Sequence, residues 1–140
     1  MRTYTIELAG DPVGKARPRF SRLTGTAYTP AKTVNFETRL AYAAQAVMRG
    51  RLLRGALHVE MTAWLEVPKS KSKKFLTAAL AGQSWPTKKP DADNVAKCLD
   101  ALNKVVWMDD SQIVDLIVHK RWSDNPRTVI TVTTMENVDE

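Results

Sequence analysis

The sequence predicts an α+β domain in which a mixed β-sheet carries its helices on one face. Three observations lead there. Stretches of period-two and of helical-period hydrophobicity follow in the order β, loop, α, β, short α, α, β, β, which is not a regular run of βαβ units. A length of 140 residues with 44% hydrophobic and 26% charged side chains suits one domain, residues 1–140, with a substantial core. No internal repeat or long linker divides the chain. No window approaches the roughly 18 consecutive apolar residues of a membrane span, and Met1 to Leu8 holds no secretory-type apolar run, so a cytoplasmic location is expected.

Each element has its own justification. Tyr4, Ile6 and Leu8 alternate with Thr3, Thr5 and Glu7, a half-buried strand that ends at Gly10-Asp11-Pro12. Pro12 to Pro30 holds Gly14, Pro18 and Gly25 without sustained periodicity and reads as a basic loop or loose hairpin. From Ala31 to Arg49, Val34, Leu40, Ala41, Ala44 and Val47 recur at helical spacing, with Gly50 as the stop. Leu57, Val59, Met61, Ala63, Leu65 and Val67 alternate with polar residues and Trp64 in the clearest strand, closed by Pro68. Lys69 to Lys74 is a basic run read as a solvated face. A short helix begins at Ser72-Lys73-Lys74, runs through Leu80 and ends near Gly82, and Trp85 to Pro90 is a rigid basic connector. Asp93 to Val106 is predicted as one helix, with Val95, Cys98, Leu99, Leu102, Val105 and Val106 inward and Asp93, Lys97, Asp100 and Lys104 on the opposite stripe. Gln112–Trp122 and Arg127–Met135 read as strands joined by Asp124-Asn125-Pro126 into an antiparallel hairpin, and the tail after Glu136 is expected to fray.

The charge is polarised along the chain. Residues 1–90 carry sixteen Lys and Arg against five carboxylates, whereas residues 91–140 carry five against ten. A basic segment of this size suits phosphate contacts, which makes nucleic acid the leading partner. One cysteine, Cys98, and two histidines, His58 and His119, exclude an internal disulfide and a four-ligand Cys/His zinc site. Both histidines lie in strand-like segments, which argues against a histidine-based nuclease centre.

Six of the 15 carboxylates, Asp91, Asp93, Asp100, Asp109, Asp110 and Asp115, nevertheless fall within 25 residues. One aspartate at the helix entrance is accounted for as a cap; the second is not. If the fold brings Asp109 and Asp110 beside Asp91 and Asp93, the result is a hard-oxygen site suited to Mg²⁺ or Mn²⁺, which lowers the pKa of a water and offsets charge in phosphodiester hydrolysis. Lys97, four residues after Asp93, would add a positive charge at the phosphate; the alternative is an ordinary surface ion pair worth about 0.3 to 0.5 kcal/mol.

The run K-P-D-A-D-N-V-A-K-C-L-D-A-L-N from Lys89 to Asn103, followed by W-M-D-D-S-Q-I-V-D at Trp107 to Asp115 and then Lys120, resembles the RusA family of Holliday junction resolvases. P-V-G-K-A-R-P-R-F at Pro12 to Phe20, with Tyr28, Pro30 and Phe36-Glu37, is similar to the family's N-terminal signature. The resemblance implies a homodimeric, Mg²⁺-dependent endodeoxyribonuclease that nicks two strands of a four-way junction symmetrically in recombination and repair, with Mn²⁺ as a substitute. It further implies a phage or mobile-element setting. Position by position, Asp91, Asp93 and Asp110 match the family's catalytic, metal-binding aspartates and Lys97 its lysine, while Asp100 and Asp109 match recurrent positions further from the metal. Some members have an Asn-rich segment where this chain has Gly-Lys-x-Arg-Pro-Arg; Lys15, Arg17 and Arg19, with Lys88 and Lys89, are the candidate phosphate contacts. Asp115 sits mid-strand and needs a partner such as Lys120 or Arg121. Trp85 and Trp107 are candidates for stacking on unpaired bases, with core burial or a dimer interface favoured for Trp107. A less selective branched-DNA nuclease and a junction-binding protein without turnover remain the alternatives.

Overall fold

A computed structural model describes residues 1–136 of the chain. The alternation of small β-favouring and apolar residues gives β1 (Thr3–Ala9), β4 (Leu57–Glu66), β5 (Ile113–Ser123) and β6 (Arg127–Thr134). They form one sheet in the order β1-β6-β4-β5, with β6 antiparallel to both neighbours and β4 parallel to β5. The register places Ile6, Ile130, Met61 and Val118 in one row on the covered face. The first three are fully buried, because that face meets the helices.

The mixed sheet with one covered face agrees with expectation, but the closing hairpin does not form. β5 and β6 follow each other in sequence yet lie on either side of β4. Pro68 shortly after the end of β4 stops it from extending, and the chain crosses beyond that end through Asp124-Asn125-Pro126. Short β2 (Arg19–Phe20) and β3 (Ala27–Tyr28) make a separate small hairpin within the basic loop.

α1 (Ala31–Met48) lays Thr33, Phe36, Leu40, Ala44 and Met48 on the sheet, a stripe at steps of three and four; Val34 lies off it and is exposed. The helix stops where Arg49 and Gly50 take left-handed backbone, at φ of 52° and 79°. α2 (Lys73–Leu80) begins where the Ser72 hydroxyl accepts from the Phe75 N–H, and Phe75 packs edge-on against Trp122 at the far end of the sheet.

The predicted helix from Asp93 to Val106 is shorter and tighter. α3 (Ala92–Ala96) passes into a 3-10 segment, Lys97–Leu102, and Lys104 turns left-handed at φ 67°. The buried side chains Val95, Cys98, Leu99 and Leu102 include two pairs three residues apart, and a helix of three residues per turn stacks such pairs. Trp107 then fills the core, with its Nε1–H donating to Asn103 Oδ1 at 2.7 Å, so core burial is the outcome for this tryptophan. No helix is long and apolar enough to cross a membrane among the described residues.

Candidate active site and nucleic-acid interface

The acidic residues are placed by three turns. Pro90 leads into α3, where Asp91 occupies the N-cap position but its carboxylate makes no capping hydrogen bond. Asp93 lies in the first turn with 73% of its side chain exposed, and Lys97 Nζ stands 4.0 Å from Asp93 Oδ2 and 3.4 Å from Asn94 Oδ1. This is the expected i,i+4 arrangement, loosely held. Asp91 and Asp110 have neither hydrogen-bond nor ion-pair partners for their carboxylates among the described residues, so their lone pairs are uncommitted.

Asp110 opens a 3-10 turn, Asp110–Gln112, whose N-cap is Asp109. Asp109 Oδ2 accepts from the Ser111 N–H, and hydrogen bonding from Ser111, first by its side chain and then by its backbone, holds this exposed carboxyl below its usual range. Gln112 completes the capping box and does more. Its Oε1 accepts from the N–H groups of Met108 and Asp109, and its Nε2 donates to the carbonyls of Leu53 and Gly55. Gln112 therefore bolts the Asp109-Asp110 turn to the segment before β4. Sequence reasoning missed this role; the spacing of Asp109 and Gln112, an N-cap residue followed three later by Gln, is the signal that could have found it.

The turn bearing Asp110 packs against the 3-10 segment. That segment starts six residues after Asp91, a helical advance of about 9 Å. Among the described residues, no three His, Cys, Asp or Glu side chains stand close enough to hold a metal ion. The set formed by Asp91, Asp93 and Asp110 fits a hard divalent cation in donor type, being exposed and all-oxygen, while in position the residues stand apart.

The basic loop is less free than its composition suggests. The Lys15 N–H donates to Asn94 O at 2.8 Å, the Ala16 N–H to Thr33 Oγ1 at 3.2 Å, and the Cys98 thiol to Val13 O at 3.4 Å. Gly14 is seated so closely that a Cβ there would lie 2.9 Å from Pro90 Cβ and 3.2 Å from Asn94 Cβ. Lys15 Nζ lies 2.6 Å from Asp100 Oδ2 and 3.4 Å from Glu37 Oε2. The hydrogen bond to Asp100 holds the Lys15 ammonium above its ordinary pKa, and burial, followed by the hydrogen bond with Asp100, raises Glu37. Lys15 and Asp100 thus tie the loop to the helical segment that carries the acidic motif. Arg17 and Arg19 are exposed and make no ion pair among the described residues.

Lys88 Nζ lies 5.5 Å from the centre of the Trp122 ring, and Lys89 is exposed beside it. Trp85 is 59% exposed. Asp115 faces the uncovered side of the sheet, where its partner is His58, with Nδ1 3.3 Å from Oδ2, rather than Lys120 or Arg121. Lys120 instead donates to the Lys88 carbonyl, and Arg121 lies near His119. The loop, the start of α1, the end of β4 and the connector before α3 enclose a cavity of about 630 Å³, with Asp91 in its wall.

The family described as Endodeoxyribonuclease RusA matches this chain over residues 9–133, from the last residue of β1 almost to the end of β6. The uncharacterized protein YqaN of Bacillus subtilis (strain 168) is 37% identical over 128 residues, 88% of this chain and 90% of that protein.

Proposed function

From the premise that the chain belongs to the RusA family of endodeoxyribonucleases, we propose that it is a structure-selective nuclease that resolves four-way DNA junctions. The observation that carries the reading is the place of Asp91, an uncommitted carboxylate in the wall of a cavity lined by cations from four segments of a family nuclease. Phosphodiester hydrolysis needs acidic groups and phosphate-holding cations side by side, and this wall supplies both kinds.

Asp91, Asp93 and Asp110 are the residues that would hold Mg²⁺, or Mn²⁺ in its place. Held there, such an ion would lower the pKa of a water and offset charge in phosphodiester hydrolysis. Lys97, tethered among the described residues by Asp93 and Asn94, brings its ammonium to the same helix face and offsets charge on the phosphate or the leaving oxygen. Arg17, Arg19, Lys88 and Lys89 hold flanking phosphates. Lys15 holds the loop that presents them. A four-way junction has near-twofold symmetry, so two copies of the chain about a twofold axis place one site at each of the two strands to be cut.

Cleavage of a labelled synthetic four-way junction, beside matched linear duplex and flap DNA, with Mg²⁺ or EDTA and with Asp91→Asn, tests the proposal. Paired symmetric nicks on the junction that need Mg²⁺ and Asp91 are expected. Equal cutting of all three substrates would reduce the protein to a general nuclease, and tight junction binding without cutting would leave a binding protein.

A further inference from the structure

The cavity beside Asp91 has a composition that the cutting chemistry alone does not require. Six cations line it against three carboxylates, Asp11, Glu66 and Asp91. Two of the cations already have a neighbour within the fold: Lys15 has Glu37 and Asp100, and Lys88 lies over the Trp122 ring while its N–H donors stay available. The other four, Arg19, Lys32, Lys69 and Lys89, come from the loop, the start of α1, the segment after β4 and the connector before α3. All four are exposed and none has a carboxylate within ion-pair distance among the described residues. Four unpaired cations around one concavity repel each other unless an anion joins them.

The walls between them are partly apolar. Val13, Val67 and Pro90 line the same space beside the polar Thr33 and Asn94, so the site pairs apolar surface with exposed cations. A volume of about 630 Å³ is that of a site for a single small organic group; a base-paired duplex has to lie across its mouth. The chemistry that matches both features is one nucleotide, with its base against the prolines and valines and its phosphates at the cations.

We propose that this cavity receives one unpaired nucleotide of the DNA strand, next to the phosphodiester that is cut, with Arg19, Lys32, Lys69 and Lys89 holding the flanking phosphates. The inference rests on the endonuclease reading above and deepens it, because it states how branched DNA is told from duplex. At a branch point a nucleotide leaves the stack at little cost, whereas within a continuous duplex the same displacement costs a few kcal/mol. A site that must be filled by a displaced nucleotide before the strand reaches Asp91 therefore favours branched DNA without reading sequence.

The test uses a four-way junction with 2-aminopurine, a base whose fluorescence rises on unstacking, placed in turn at each position beside the branch point, with EDTA present to prevent cutting. Binding of the wild-type chain is expected to raise the fluorescence severalfold at one of these positions. The double variant Lys32→Glu/Lys69→Glu, at saturating concentration, is expected to lose that rise, and the slope of log affinity against log salt is expected to fall by about two. Lys73→Glu/Lys74→Glu, on α2 outside the cavity, is expected to keep it. Circular dichroism checks that both variants are folded. A rise that survives in Lys32→Glu/Lys69→Glu, or a bound junction with no rise at any position, overturns the nucleotide site while leaving the endonuclease reading intact; failure to bind any branched DNA overturns both. Deoxynucleoside monophosphate added to the wild-type complex is expected to leave the signal unchanged. Its tight binding to the DNA-free chain, lost in Lys32→Glu/Lys69→Glu, would reassign the cavity to a soluble nucleotide.

Discussion

Lys15 lies in a stretch rich in arginine, where a phosphate contact is the natural expectation, yet it is engaged by Asp100 and Glu37 at 2.6 and 3.4 Å. Lys15→Met keeps the aliphatic stem and removes the charge. At an effective dielectric of about 20, charges roughly 4 Å apart attract by about 4 kcal/mol per pair. Drying a lysine that is 29% exposed and solvent screening at the 43% exposed Asp100 offset most of this, leaving a net loss of about 2 kcal/mol. At roughly 4 °C per kcal/mol for a domain of this size, Tm should fall by about 8 °C. The pH dependence has a definite sign. Lys15 has a raised pKa in the folded chain, so its contribution is complete below the ordinary value of 10.5 and is lost as pH rises through the folded value. On the acid side Glu37, raised above 4.5 first by burial, takes a proton and its pull on Lys15 is lost. The deficit of Lys15→Met should therefore be greatest between the raised Glu37 value and 10.5, and shrink as pH falls through the former or rises through the raised Lys15 value. Thermal melts of wild type and variant across pH, with junction binding against salt, measure this. An unchanged Tm with a salt slope reduced by about one would refute the structural role and make Lys15 a phosphate contact.

Three other substitutions probe the same scaffold. Gly14→Ala places a Cβ at 2.9 Å from Pro90 and is expected to cost about 1 to 3 kcal/mol, read by urea denaturation, and to slow cleavage by lifting the loop off α3; wild-type stability would show that the contact yields freely. Gln112→Ala removes four hydrogen bonds around the Asp109-Asp110 turn and should lower stability by about 1 to 3 kcal/mol and cleavage by more than that stability loss explains. Retention of full activity would detach that turn from the reaction. Burial pushes the Cys98 thiol up to about 12, so iodoacetamide at pH 8 should leave the native chain unmodified and label it fully in urea, as mass spectrometry can show; rapid native labelling would contradict the packing around Val13.

Much of the fold could be read from residue order because one face of the sheet is buried. The alternation from Leu57 to Val67 could only belong to a strand with one dry side, and Ser72 announced α2 through its cap. What could not be read was the partner of each strand. Asp124-Asn125-Pro126 serves equally as a hairpin turn and as a crossing beyond β4, and only the pairing of β4 between β5 and β6, set by distant packing, decides between them. The division of the predicted Asp93–Val106 helix was equally hidden, since spacings of three and four suit an α-helix as well as a 3-10 segment. At the candidate site, the motif located Asp91, Asp93, Lys97 and Asp110 in the chain. It carried no information on how far apart their turns stand, nor on Lys15 preferring Asp100 and Glu37 to solvent.

β6 is the last strand among the described residues and sits in the interior of the sheet, with β1 on one side and β4 on the other. Thr133 pairs with Thr3, so residues 130 positions apart must find one another before the core can close. A nascent chain on the ribosome that lacks residues 127–134 has β1 without the neighbour it pairs with among the described residues, and β4 with one edge bare. Synthesis of residues 127–134 must therefore precede the closing of the sheet, and until then the apolar side of β4 is a surface for chaperones or for aggregation. Loss of a few residues from β6 would not trim the protein; it would remove the strip that joins its two halves.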